Sequence, residues 1–143
     1  GLPALADDSG ICVDVLGGSP GVFSAYWAGQ KKDDKANLAL LLDQLHDVGE
    51  EHRAATFVST IALVVPGVDG ESAIEHVVEG RWPGRLARAA SGDGGFGYDP
   101  IFVPDGQEPG HETSVAEWEP ARKNAASHRA RAFAVLMPLL TGL

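Results

Sequence analysis

Apolar and polar positions alternate along this chain in blocks that predict strands, helices and turns in a definite order. A short apolar lead-in, Pro3-Ala4-Leu5-Ala6, meets Asp7-Asp8-Ser9-Gly10 and then a second extended run, Ile11-Cys12-Val13-Asp14-Val15-Leu16. Gly17–Gly21 predicts a turn-rich loop, and the aromatics of residues 22–29 are expected to pack over the next helix. Leu38, Leu41, Leu42 and Leu45 recur at helical spacing, so a helix with one buried stripe is expected to open at Asp33-Asp34. Residues 54–65 are apolar at both alternating sets of positions and rich in β-branched side chains, the pattern of a central strand covered on both sides. After a turn at 66–70, Glu71, Glu75 and Glu79 alternate with Ile74, His76 and Val78, which predicts the second strand of an antiparallel hairpin.

The later part of the chain is more broken. Arg81-Trp82-Pro83-Gly84-Arg85 predicts a bend into a short strand near Leu86-Ala87-Arg88, and residues 104–112 an exposed loop. Ser114 and Glu117 have the spacing of a capping box, and Pro120 suits a first helical position. Ser127 is placed to cap a last helix with an apolar face of Ala130, Phe133, Ala134, Val135, Leu136 and Leu140.

Length and composition narrow the class. A chain of 143 residues fits a single domain, and 44% hydrophobic with 22% charged residues is ordinary for a globular protein. No apolar run reaches the length of a membrane span and no signal peptide is visible, so no membrane partner is expected. The one cysteine, Cys12, excludes an internal disulfide framework and suits a cytoplasmic setting as a buried thiol. The chain opens Gly1-Leu2-Pro3 almost directly into strand pattern, and Gly followed by Pro is a common exit from a helix. This leads to the expectation that the domain is truncated at its N-terminus.

Charge adds direction. Residues 1–80 carry 13 acids against 4 Lys/Arg, the whole net charge of −9, while residues 81–143 carry 7 of each. Such a chain is a poor nucleic-acid binder. Arg122, Lys123, Arg129 and Arg131, with His128, nevertheless form an acid-free stretch suited to a small anion such as a phosphate. His128 and Arg129 would then sit at a helix start, where the dipole disfavours cations unless an anion or acceptor is near.

Two stretches carry candidate chemistry. Asp7 and Asp8 could form a magnesium-holding, water-activating carboxylate pair, since hard cations prefer oxygen ligands; the plain alternative is an Asx-type turn. Ser91–Pro100 holds Gly92, Gly94, Gly95 and Gly97 with Phe96 and Tyr98, so its backbone can approach a phosphate or a flat base closely; the plain alternative is a tight loop with aromatic packing. Neither a dinucleotide-binding nor a P-loop glycine pattern is present.

Taken together, Ala6-Asp7-Asp8-Ser9-Gly10 with Gly17–Val22, Gly94–Phe102, and Lys123-Asn124-Ala125-Ala126-Ser127-His128-Arg129 closely resemble the Ham1/RdgB-like non-canonical purine nucleoside triphosphate pyrophosphatases. The resemblance covers nearly the whole chain. It implies an α/β fold, a long mixed β-sheet with flanking helices forming two lobes around a central groove. It also implies a house-cleaning hydrolase that converts ITP, dITP and XTP to the monophosphate and pyrophosphate, uses Mg2+ and works as a homodimer. By the same resemblance Asp8 is the catalytic base and metal ligand, Asp7 assists with metal or water, and Ser9 contacts substrate. Phe96, Gly97, Tyr98 and Asp99 embrace the nucleoside, Lys123 binds substrate, and His128 and Arg129 contact the base. The family's N-terminal phosphate loop and second metal-binding glutamate are not found here. The alternatives are a non-catalytic nucleotide-binding module and the Maf-like nucleotide pyrophosphatases, against which Ser127-His128-Arg129 argues.

Overall fold

In the computed structural model, which describes Gly1–Thr141, four antiparallel strands form a sheet in the order β1-β2-β3-β4. They are β1 (Ala4–Val13), β2 (Ala54–Val65), β3 (Ile74–Leu86) and β4 (Phe102–Pro104). Helices α1 (Asp34–Gln44), α2 (Pro120–Ala126) and α3 (His128–Leu140) flank it, giving the α/β architecture that the resemblance implies, although among the described residues the sheet is antiparallel throughout rather than mixed. The β2–β3 hairpin and the α1 stripe form where the periodicity places them. Leu41 and Leu45 are fully buried, and the Asp33 carboxylate caps α1 by accepting from Lys35 N and Ala36 N. No helix among the described residues is long and apolar enough to cross a membrane.

Strand alternation sends odd-numbered side chains of β1 and β2 to one face, where two cores lie end to end. One gathers Ile11, Val13, Phe57, Trp82 and Phe102 beneath α1; the other packs Ile61, Leu63 and Val78 against Ala132 and Leu136 of α3. The even positions of β2 are only half-buried, so this strand is fully covered on one face rather than both. Between the helical layer and the sheet, Arg53 is 1% exposed and donates to the carbonyls of Leu45, Val48, Leu86 and Ala87. It ties the end of α1 to the end of β3.

The structure sets aside one alternative reading and corrects three further expectations. Asp7-Asp8-Ser9-Gly10 does not turn: β1 runs straight through it, with every residue from Ala4 to Val13 registered on β2. A continuous ladder satisfies more backbone groups than an Asx turn would, and it wins over the local preference. Likewise β3 continues through Pro83 and Gly84, opposite Thr56 and Ala55, instead of bending. Proline is tolerated where no ladder N–H is required, and its carbonyl accepts from Asp105 N at 3.1 Å. Ser114 forms no capping box; its hydroxyl donates to Ser91 O at 2.6 Å and pins the glycine-rich segment. On α3 the buried positions are Ala132 and Leu136, whereas Phe133 and Val135 are 36% and 51% exposed. That face is selected by Gly80 on β3. A Cβ there would lie 2.1 Å from His128 O and 2.2 Å from Ala132 N, so only glycine lets the helix backbone rest on the strand.

Candidate active site

A groove of about 360 Å³ opens where the edge strand β1, the glycine-rich loop and the start of α3 converge. Its floor is β1 from Asp7 to Ile11, with Phe57 beneath; Ser24, Ala25 and Asp34 form one wall. Phe96–Asp99 form a second, and Lys123, Asn124 and Ser127–Arg129 a third. Every site residue expected from the sequence lines this one groove, although they come from four separate stretches of chain.

The glycine-rich loop is tied down by its own side chains and by its neighbours. Asp99 is 3% exposed, and its Oδ2 accepts from Phe96 N at 3.0 Å and from Lys123 Nζ at 2.5 Å. Gly95, at φ +69°, gives way to that carboxylate: a Cβ would meet Asp99 Oδ2 at 2.1 Å. Gly97 N donates to Asp34 Oδ2 at 3.1 Å, and Tyr98 donates its hydroxyl to Ser24 O at 2.7 Å. Burial, and then the charge of Asp34, push the Tyr98 phenol up to about 12, so it remains a donor. Tyr98 and Asp99 therefore organise the loop from within. Phe96 is left 74% exposed at the rim, with the Lys123 ammonium 4.3 Å from its ring centroid.

Ser127 caps α3 as expected, its hydroxyl accepting from Ala130 N at 3.2 Å. His128 follows at once, and its ring stacks on Phe57 at 4.8 Å and 14°. Its Nδ1 is buried without a protein partner among the described residues. Burial first, then Lys123 and Arg129, push this imidazole down to about 4, so it is neutral near pH 7. Because the folded value lies below the ordinary 6.5, the unfolded chain takes up the proton first as pH falls. The group's contribution to stability is whole above about pH 6.5, declines through the window down to about 4, and is lost below it. His128→Phe keeps a stacking ring and is expected to flatten this slope, read as urea midpoints across the window. An unchanged slope would assign the acid sensitivity to other groups.

The basic stretch divides. Arg122 stacks on Trp118 at 3.6 Å, and Arg131 donates to Ala126 O and Arg81 O, so neither faces the groove. Lys123, His128 and Arg129 do, with Lys123 paired to Asp99 and Arg129 to Asp7. Asp8 is exposed, and among the described residues it makes no ion pair. Sequence reasoning missed Asp34, Ser24 and Phe57 as groove residues. Asp34 reads as an ordinary first-turn acid of α1, and nothing in its spacing points across the fold to Gly97.

Fold and groove define the class: an α/β protein with a groove of mixed polar and apolar lining between a sheet edge and a helix start, flanked by an ordered glycine-rich loop. The chain belongs to the Ham1 family, whose model matches residues 1–139. It is 59% identical over its full length to a protein of Leifsonia xyli subsp. xyli named dITP/XTP pyrophosphatase, covering 67% of that relative. It is 55% identical to the protein of the same name from Nocardia farcinica, covering 65% of it. Among solved structures it is similar to the Staphylococcus aureus Ham1 protein, with a TM-score of 0.84 and 37% identity, over 99% of this chain and 68% of that one. The chain thus spans about two thirds of the length of the relatives it matches.

Proposed function

We propose that the protein containing this chain hydrolyses non-canonical purine nucleoside triphosphates (ITP, dITP and XTP) to the monophosphate and pyrophosphate. The observation that carries this reading is the convergence of Asp8, the ordered glycine-rich loop and the His128–Arg129 pair on one groove. The names of the relatives point the same way.

In this reading Asp8 takes the proton of the attacking water on a carboxylate oxygen, from an exposed position on the strand at the groove floor. Phe96 offers an open aromatic face for a base. Arg129 presents donors only, which suits the 6-keto acceptor of hypoxanthine or xanthine and sets donor against donor at the amino group of adenine. Neutral His128 adds no charge to that recognition. Lys123, paired with Asp99 and set against the Phe96 ring, stands on the groove wall where it can contact substrate.

A metal fits modestly. Among the described residues no group of three or more metal-ligating side chains is gathered. Magnesium, however, is commonly held by one or two carboxylates together with substrate phosphates, and Asp8 supplies such an oxygen donor. Magnesium would be held there by Asp8 and the triphosphate, and would offset phosphate charge. A homodimer, a cytoplasmic setting and a role in keeping such nucleotides out of nucleic acid belong to the same proposal.

The test is pyrophosphate release from ITP, XTP and ATP with magnesium present. ITP or XTP is expected to turn over far faster than ATP. Equal rates, or orthophosphate as the product, would overturn the reading, and tight ITP binding without turnover would favour a nucleotide-binding module instead.

A further inference from the structure

Asp7 and Asp8 are adjacent in sequence, but the pleat of β1 aims them to opposite faces of the sheet. Asp7 pairs in register with Ile61, whose side chain is buried against α3, and Asp8 pairs with Thr60 on the other face. Both line the groove that opens at this edge of the sheet, but they reach it from opposite faces of the strand.

What faces Asp7 is Arg129, which donates Nη2 to its Oδ2. Arg129 is the second residue of α3, where a cation opposes the helix dipole, and a carboxylate at that place offsets the cost. The rule broken in sequence is repaired in space. Side-chain exposures of 58% for Arg129 and 30% for Asp7 make the pair a minor contributor to stability. Its effect is directional. A guanidinium on four rotatable bonds is costly to orient, and Asp7 orients it over the groove before any ligand arrives.

We propose that Asp7 is a positioning residue that acts through Arg129 to discriminate the base, and not a second ligand of the metal beside Asp8. This rests on the nucleotide reading of the groove.

The test compares wild type, Asp7→Asn, Arg129→Gln and the double variant in kcat/KM for ITP and ATP, with a magnesium titration of each. Asp7→Asn is expected to lower the ITP-over-ATP ratio about five- to twenty-fold, mainly through KM, as for residues coupled by direct contact. Half-saturating magnesium should stay unchanged. In the Arg129→Gln background, Asp7→Asn should cause no further loss. A retained ratio with a raised magnesium requirement would make Asp7 a metal ligand and overturn the proposal. So would an undiminished effect of Asp7→Asn when Arg129 is already gone. If Asp7→Asn does not fold, Asp7→Ser enters the same cycle. Wild-type protein that turns over neither nucleotide would defeat the functional reading separately. The four proteins would then be compared by ITP titration calorimetry, where the same non-additivity holds or fails.

Discussion

Asp8→Asn is expected to leave the fold and melting temperature as they are while slowing ITP hydrolysis by about a hundred- to ten-thousand-fold, the usual contribution of a positioned general base. The side chain is exposed and makes no ion pair among the described residues, so the amide replaces the carboxylate without loss of packing. What it removes is the capacity to accept a proton and to offer an anionic oxygen to a metal. Contrast with Asp7→Asn sharpens the result, because that change is expected to alter the choice of base far more than the rate. A pyrophosphate assay paired with a melting curve reads both variants. Near-normal turnover by Asp8→Asn would take Asp8 out of the mechanism.

Gly80→Ala should have the largest effect on stability. Its added methyl would collide with backbone atoms only, His128 O, Ala132 N and the Arg131 carbonyl carbon at 2.8 Å, and none of these can rotate away. The strand position offers no room either, since Gly80 lies in register with fully buried Ser59. Relief requires α3 to lift from β3, at a cost of about 1–3 kcal/mol or somewhat more. His128 and Arg129 lead α3, so the lift would also displace the cationic wall of the groove. Thermal melting should fall by several degrees, on the order of 4 °C for each kcal/mol in a chain of this size, and the KM for ITP should rise together with it. A variant that melts and binds like wild type would show that α3 does not rest on this strand.

Much of the architecture could be read from periodicity alone. The leucine stripe of α1, the β2–β3 hairpin and the Ser127 cap are local patterns, and local physics decides them. What escaped reading depended on partners distant in the chain. Asp7-Asp8-Ser9-Gly10 looks like a turn until β2 lies beside it, and Pro83-Gly84 looks like a bend until β2 and β4 complete the ladder. The face that α3 buries is set by one glycine about fifty residues earlier, not by the helix's own apolar content. In the groove, the motifs named the residues but not their duties. Asp99 and Tyr98 fasten the loop, Lys123 is tied to Asp99, and Asp34 enters from a helix that reads as scaffold.

The fastening of the glycine-rich loop has a consequence in time. Phe96 N is bonded to Asp99 within the loop, and Gly97 N and the Tyr98 hydroxyl to Asp34 and Ser24 elsewhere in the fold, so the loop is ordered when the chain folds. A nucleotide reaching this groove has no loop to organise on arrival. Encounter can then proceed as fast as diffusion and the protein's overall negative charge allow, for keto and amino bases alike. The distinction between them would be drawn afterwards, in how long each one stays.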